Sequence, residues 1–222
     1  MMDVHGSYAR DGYALIKGLL PRDVATAFLR QMKADLAQGG APIERHTRAS
    51  PLLKGDAVEV YGYHYPPMLG MLWGLTPTVR ALTGRDLLPT YDYFRIYREG
   101  DILRVHSDRQ ACEHSLSLTL DYSDGVPWDL EVGTDRLDGP SAAVGPDFGD
   151  KRYVSLTMEP GDAVLYRGVE HRHGRMTPNA NGWSAHLFLH WVERNGPYAS
   201  FAFDGNADTT KPVNFNFSQD RA

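Results

Sequence analysis

Two short segments hold most of the side chains that could do chemistry. His106-Ser107-Asp108 ends a stretch beginning Asp101-Ile102-Leu103 that reads as a strand. On an extended chain, residues i and i+2 point the same way, so one imidazole and one carboxylate can converge on a single ion. The chain has nine histidines, so one His-x-Asp pair is weak alone and could simply be solvated. A second cluster, Glu170-His171-Arg172-His173-Gly174-Arg175, follows another apolar run, Ala163-Val164-Leu165-Tyr166. Two imidazoles and one carboxylate on a rigid frame suit Fe(II) with coordination positions left open. Zinc accepts the same donors and is the chemical rival. At this level His171 and His173 compete for the third place.

Those segments need a frame that brings distant strand ends together. From Leu88 onward the hydropathy has period two. Tyr91, Tyr93, Arg95 and Tyr97 share one face, and Ser115-Leu116-Ser117-Leu118-Thr119-Leu120 alternates leucines with small hydroxyls. Arg152 to Met158 and Ala163 to Tyr166 read as further strands around the Pro160-Gly161-Asp162 turn. Ser184, His186, Phe188 and His190 share one face of a last strand. Upstream, Gly12 to Lys17 reads as a strand. Pro21 then opens a helix with Val24, Ala27, Phe28, Met32 and Leu36 at helical spacing, stopped by Gly39-Gly40. Residues 41–56 read as a loop, and Pro67 to Gly84 as two short helices broken near Thr76-Pro77. Helices first and strands after predict a mainly β sandwich or barrel with the helices on one sheet. In an open sheet the polar strand faces would meet water; in a barrel they would line a wet pocket.

Composition narrows the function. The 222 residues carry 23 basic and 28 acidic side chains, a net charge of −5, which argues against a generally basic nucleic-acid binder. No apolar run approaches the roughly 20 residues that span a bilayer, so no membrane protein is expected. The N-terminal residues do not read as a signal peptide, and Cys112 is the lone cysteine. A reducing, cytoplasmic setting is therefore expected. No repeat or linker divides the chain, so residues 1–222 are expected to form a single domain.

In four ordered blocks the sequence resembles the small 2-oxoglutarate/Fe(II)-dependent dioxygenases, of the prolyl-hydroxylase-like and phytanoyl-hydroxylase-like kind. Gly12 to Leu36 resembles their strand-then-helix opening. Leu88-Pro89-Thr90-Tyr91, Arg95-x-Tyr97, Gly100, His106-x-Asp108-Arg109 and Cys112-Glu113-x-Ser115 resemble their first metal-binding segment. Gly161-Asp162-Ala163-x-Leu165-Tyr166-Arg167-Gly168 with His173-x-Arg175 resembles the second. Phe188-Leu189-His190-Trp191-Val192 and Asn195-Gly196-Pro197 resemble the closing strand and its exit. The resemblance implies a double-stranded β-helix, a jelly-roll or cupin-like barrel. It implies Fe(II) with 2-oxoglutarate and O2 as co-substrates, and hydroxylation of a C–H bond with release of succinate and CO2. Carried onto this chain it makes His106, Asp108 and His173 the metal ligands, leaving His171 to a loop or supporting place.

One departure from the family bears on the co-substrate. The arginine or lysine expected after the distal histidine is missing, since that region reads Trp183-Ser184-Ala185. A buried carboxylate needs a cationic partner, and an arginine fork suits it best. Arg175, two residues past His173, is the first candidate. Arg95, on the face with Tyr93, is the second, and His186 could assist. The plainer readings are a solvated loop residue for Arg175 and a buried acid pair for Arg95. Cys112 reads as a buried thiol, Glu113 and Arg109 as possible supports of the ligands, and Trp128 as core edge or lid. Residues 133–151 read as a loop that could cover substrate, and Tyr198, Phe201, Phe203, Phe215 and Phe217 as packing or a dimer face. The expected partner is a small-molecule or peptide substrate, and the expected state a monomer or homodimer. Two other functions use the same residues: a non-catalytic cupin-like ligand-binding barrel, and a zinc-dependent hydrolase on the same triad.

Overall fold

A computed structural model describes residues 2–205. The chain opens with β1 (Asp3–His5), α1 (Tyr8–Asp11), β2 (Tyr13–Lys17) and α2 (Arg22–Gln38). There follow β3 (Thr47–Arg48), β4 (Ala57–Tyr61), α3 (Pro67–Thr83), β5 (Leu87–Arg98) and β6 (Leu103–His106). The second half is β7 (His114–Tyr122), β8 (Leu130–Arg136), β9 (Tyr153–Leu156), β10 (Ala163–Tyr166), β11 (His171–Arg175) and β12 (Trp183–Glu193). Every strand pairing is antiparallel, in an eight-stranded sheet ordered β1-β2-β10-β7-β12-β5-β4-β3 and a four-stranded sheet ordered β6-β11-β8-β9. Two such sheets with helices on one outer face make the double-stranded β-helix. Among the described residues no helix is long and apolar enough to cross a membrane.

The period-two strands separate two interiors. Leu116, Leu118, Leu120, Leu187 and Leu189 point outward from the large sheet, where Met32, Leu36, Leu72 and Val79 of α2 and α3 cover them. Their alternate residues Ser115, Ser117, Thr119, His186 and His190 point between the sheets and are buried too. The polar faces therefore line a barrel and do not meet bulk water.

The structure corrects four local expectations. Within residues 41–56, read as a loop, Ile43–Arg45 form a 3-10 turn and β3 pairs with β4. α3 is one helix with Pro77 inside it. Proline removes one helical N–H, but Leu72 and Val79 on either side are both anchored in the same core, which holds the two halves in line. The buried stripe of α2 begins at Ala25, whereas Val24 is exposed. Residues 133–136 extend strand β8 and are not part of the loop. Phe215 and Phe217 lie outside the described residues.

Candidate metal centre

The centre is built where two strands of the small sheet meet. β11 pairs with β6 so that His173 stands opposite His106. Asp108 follows β6, its backbone N–H bonded to the Gly168 carbonyl at 2.8 Å. A Cβ at residue 168 would overlap the Asp108 carboxylate and the Ser115 hydroxyl, so only glycine lets the two segments approach this closely. Donor atoms of His106, Asp108 and His173 all lie within 4.8 Å of one another. Asp108 Oδ1 is 3.7 Å from His106 Nε2 and 3.4 Å from His173 Nε2.

Each donor is oriented by a neighbour. His106 Nδ1 donates to the Arg104 carbonyl at 2.7 Å, and His173 Nδ1 to the His171 carbonyl at 3.0 Å. Those bonds assign the proton to Nδ1 and leave both Nε2 lone pairs facing Asp108. Ser115 Oγ donates to Asp108 Oδ2 at 3.0 Å and accepts from His190 Nδ1 at 2.9 Å, leaving Oδ1 for the centre. Burial, helped by the neighbouring His173, pushes the His106 imidazole down to about 4, which keeps it neutral and its Nε2 unprotonated. Burial acts to raise the Asp108 carboxyl, yet His173 and His106 outweigh it and hold it well below the usual range. Two bare imidazole nitrogens and one ionised oxygen are what a divalent ion requires. Donors about 2.1 Å from an ion at adjacent positions lie about 3 Å apart, close to the observed spacing. The residues fit iron.

His171 takes no part in this triad. It heads β11, with its ring against Gly133 O (2.8 Å) and Tyr13, and contributes its backbone carbonyl to His173. Of the two places expected for it, loop or support, it takes the second, from within strand β11.

Deeper between the sheets, Arg175 is fully buried. Its Nη1 donates to the Trp128 carbonyl, its Nη2 lies 3.5 Å from His186 Nδ1, and its Nε has no partner among the described residues. No carboxylate among the described residues lies within ion-pair distance of it. Nearby Glu131 accepts instead from the Met176 N–H at 3.1 Å. His186 is pushed well below its usual range by burial and then by Arg175, so it stays neutral beside the guanidinium. Arg95 differs. It donates through Nε (2.9 Å) and Nη2 (2.5 Å) to Glu59 and through Nη1 to Tyr97 at 3.0 Å. Its guanidinium is thus already committed to a buried acid pair. Tyr93 stacks on Phe188 at 4.8 Å, with the Arg95 guanidinium over its ring at 5.2 Å.

Sequence reading missed Glu59, which lies in an unremarkable strand far from Arg95 along the chain. It also gave no role to Ser115, Gly168 or the Trp128 carbonyl. Glu113 and Arg109 do not touch the triad: Glu113 accepts from the Glu193 N–H, and Arg109 lies over the Tyr91 ring at 4.3 Å.

Two predictions arise here. Arg95→Lys keeps the charge but cannot reproduce the fork on Glu59 and Tyr97, so unfolding should cost about 2 kcal/mol less in a denaturant titration. The second concerns pH. Burial first, with nearby positive groups, lowers His106 and His190 to about 4 and His114 to about 3, and lowers His186 strongly. Each binds a proton less readily folded than unfolded, so its contribution is complete above about pH 6.5 and is lost as pH falls toward 4. The slope is up to ~1.4 kcal/mol per pH unit for each histidine. Asp92, raised to about 7 by burial, and the raised carboxyls of Glu113 and Glu131 oppose part of it. Melting temperatures of the metal-free chain should drop steeply between pH 6.5 and 4; a flat series would contradict neutral buried histidines.

No family model matches the sequence, and neither does any curated protein. Solved structures do. A Pseudomonas putida prolyl-4-hydroxylase superposes with a TM-score of 0.56 at 16% identity, over 85% of this chain and 96% of that one. The carbocyclase SnoK from nogalamycin biosynthesis, described as non-heme and alpha-ketoglutarate dependent, gives 0.64 at 12% identity, covering 84% and 81%. HygX from Streptomyces hygroscopicus, solved with nickel, 2-oxoglutarate and hygromycin B, gives 0.61 at 11% identity, covering 85% of each. This chain has the fold of the 2-oxoglutarate/Fe(II) oxygenases. In this chain the triad joins the end of one strand of the small sheet to its antiparallel neighbour. At these identities the likeness speaks to architecture, and the chemistry must be argued from the side chains.

Proposed function

We propose that this protein is an Fe(II)- and 2-oxoglutarate-dependent dioxygenase that hydroxylates a C–H bond of a small-molecule or peptide substrate. One observation carries the reading: an oriented His106–Asp108–His173 triad shares a barrel with a buried arginine that has no carboxylate partner among the described residues. Neither half alone would be decisive. Together they match a metal and a dianionic co-substrate.

Iron bound there would couple reduction of O2 to oxidative decarboxylation of 2-oxoglutarate, one oxygen atom entering succinate and the other the substrate. The chain's own residues set the conditions. His106 and His173 present Nε2 because backbone carbonyls hold their Nδ1 protons, and Ser115 fixes the rotation of Asp108. Arg175, with His186 beside it, offers a carboxylate a fixed positive charge where water is excluded. Tyr93, Phe188 and Tyr166, the last 4.5 Å from the His173 ring, give the centre aromatic neighbours that would limit side reactions.

The test is anaerobic reconstitution with Fe(II) and 2-oxoglutarate, followed by admission of O2 and assay of succinate. Formation of the metal-to-ligand absorption band and then of succinate is the expected result. Iron binding with neither band nor succinate would favour the ligand-binding barrel, and hydrolytic activity with zinc alone the hydrolase.

A further inference from the structure

Outside the barrel interior, three more donors meet at one end of the large sheet. His114 opens β7 directly opposite Trp191 of β12. Trp191 lies in the helix-covered core, so His114 and Glu193, two residues past Trp191, face that same outer side. Glu113 comes from the turn just before β7. One donor atom from each of Glu113, His114 and Glu193 lies within 4.8 Å of the other two. Beyond β12 the Gly196 N–H bonds back to the Glu193 carbonyl at 3.1 Å. A Cβ at residue 196 would overlap the Glu193 side chain, so glycine lets the chain fold closely over the cluster.

Two acids alone would be an ordinary surface pair, and His114 sets this one apart. It is 2% exposed, and its Nε2 has no hydrogen-bond partner among the described residues. Nδ1 lies 2.6 Å from the Tyr8 hydroxyl, which fixes the ring, and Nε2 points into the cluster, 3.6 Å from Glu193 Oε1. Burial first, then Arg167 and Arg85, pushes this imidazole down to about 3, so it is neutral and forms no ion pair with Glu193.

Glu113 Oε2 accepts from the Glu193 N–H at 2.8 Å, which leaves Oε1 for a ligand. The nearby cations do not fill the place. Arg167 bonds Glu170 at 3.1 Å, and Arg85, half exposed and 3.6 Å from Glu193, can turn into water. Donors about 2.1 Å from one zinc ion lie about 3.4 Å apart, near the His114–Glu193 spacing. Two carboxylates cancel a divalent charge, and one imidazole with two oxygens suits zinc, water completing the four. We propose that Glu113, His114 and Glu193 form a second divalent-cation site, of zinc type, that clasps the start of β7 to the end of β12. The clasped segment carries Ser115, whose hydroxyl holds Asp108. The site itself makes no use of the oxygenase reading.

The experiment is a zinc count on the metal-stripped full chain, by competition with a chromophoric chelator of micromolar affinity. The chain should hold two zinc ions, one at the triad and one at the clasp. His173→Ala should keep the clasp ion, and Glu193→Gln should lose it, its affinity falling by more than about 100-fold. His114→Gln should lose the same ion. Glu193 is partly exposed, so its variant keeps the test open if His114→Gln fails to fold. Zinc should also raise the melting temperature of His173→Ala and leave that of the double variant His173→Ala/Glu193→Gln unchanged. Equal zinc counts with and without Glu193→Gln would overturn the proposal. A single zinc ion, lost on Glu193→Gln and kept by His173→Ala, would leave the clasp standing and count against the triad as a zinc centre.

Discussion

His173→Ala is expected to abolish iron retention through gel filtration and to reduce succinate formation to background. The side chain is buried, its Nδ1 is occupied by the His171 carbonyl, and its Nε2 faces Asp108 at 3.4 Å. Removing it leaves two donors at a site with open positions. Loss of a residue that merely orients a ligand costs about 10–100-fold in affinity, so loss of a ligand should exceed that range. His171→Ala supplies the contrast. What His171 gives the centre is a backbone carbonyl, which alanine retains, so substantial activity should survive. Measured side by side, a dead His171→Ala and a live His173→Ala would reverse the assignment of the distal ligand.

The second large effect is on 2-oxoglutarate. Arg175→Lys should weaken its binding by about 2–5 kcal/mol, the cost of spoiling a buried charge pair, or about 30- to 4000-fold. Iron affinity should stay nearly intact, because Arg175 does not touch the triad. Lysine keeps the charge but cannot reproduce a planar fork that also reaches the Trp128 carbonyl and His186. Titrating 2-oxoglutarate into the anaerobic iron form and following the metal-to-ligand band measures this directly. Arg95→Lys is the control: Glu59 already holds that guanidinium, so it should alter stability far more than the titration. An unchanged curve for Arg175→Lys beside a lost one for Arg95→Lys would transfer the clamp to Arg95. Unchanged curves for both would remove the arginine clamp altogether.

Local pattern settled much of this protein. Strict alternation over residues 115–120 and 184–191 fixes both the strands and their two faces, because successive side chains on a pleated strand must diverge. Pro21 and Gly39-Gly40 mark the ends of α2 through backbone chemistry that neighbours do not alter. His106-x-Asp108 is legible for the same reason: two residues apart on an extended chain share a side.

Long-range geometry settled the rest. That His173 and not His171 faces Asp108 depends on the register of β11 against β6: strand parity puts both histidines on one side, and in the sequence only the resemblance to the family's His-x-Arg pattern favoured His173. The continuity of α3 through Pro77 depends on Leu72 and Val79 sharing one core, which outweighs a single missing hydrogen bond. The two arginines show the division most plainly. By sequence both are candidate carboxylate clamps, Arg95 on a polar strand face and Arg175 two residues past His173 with a solvated loop as its plainer reading. Glu59 reaches Arg95 only because β4 lies beside β5, with Glu59 and Arg95 in register. Arg175 meets a carbonyl and a neutral imidazole because β11 carries it to Trp128 and His186, and among the described residues no acid is within ion-pair distance. Parity along one strand is set by the chain itself, whereas the partner a buried charge meets is set by which strands the fold places side by side.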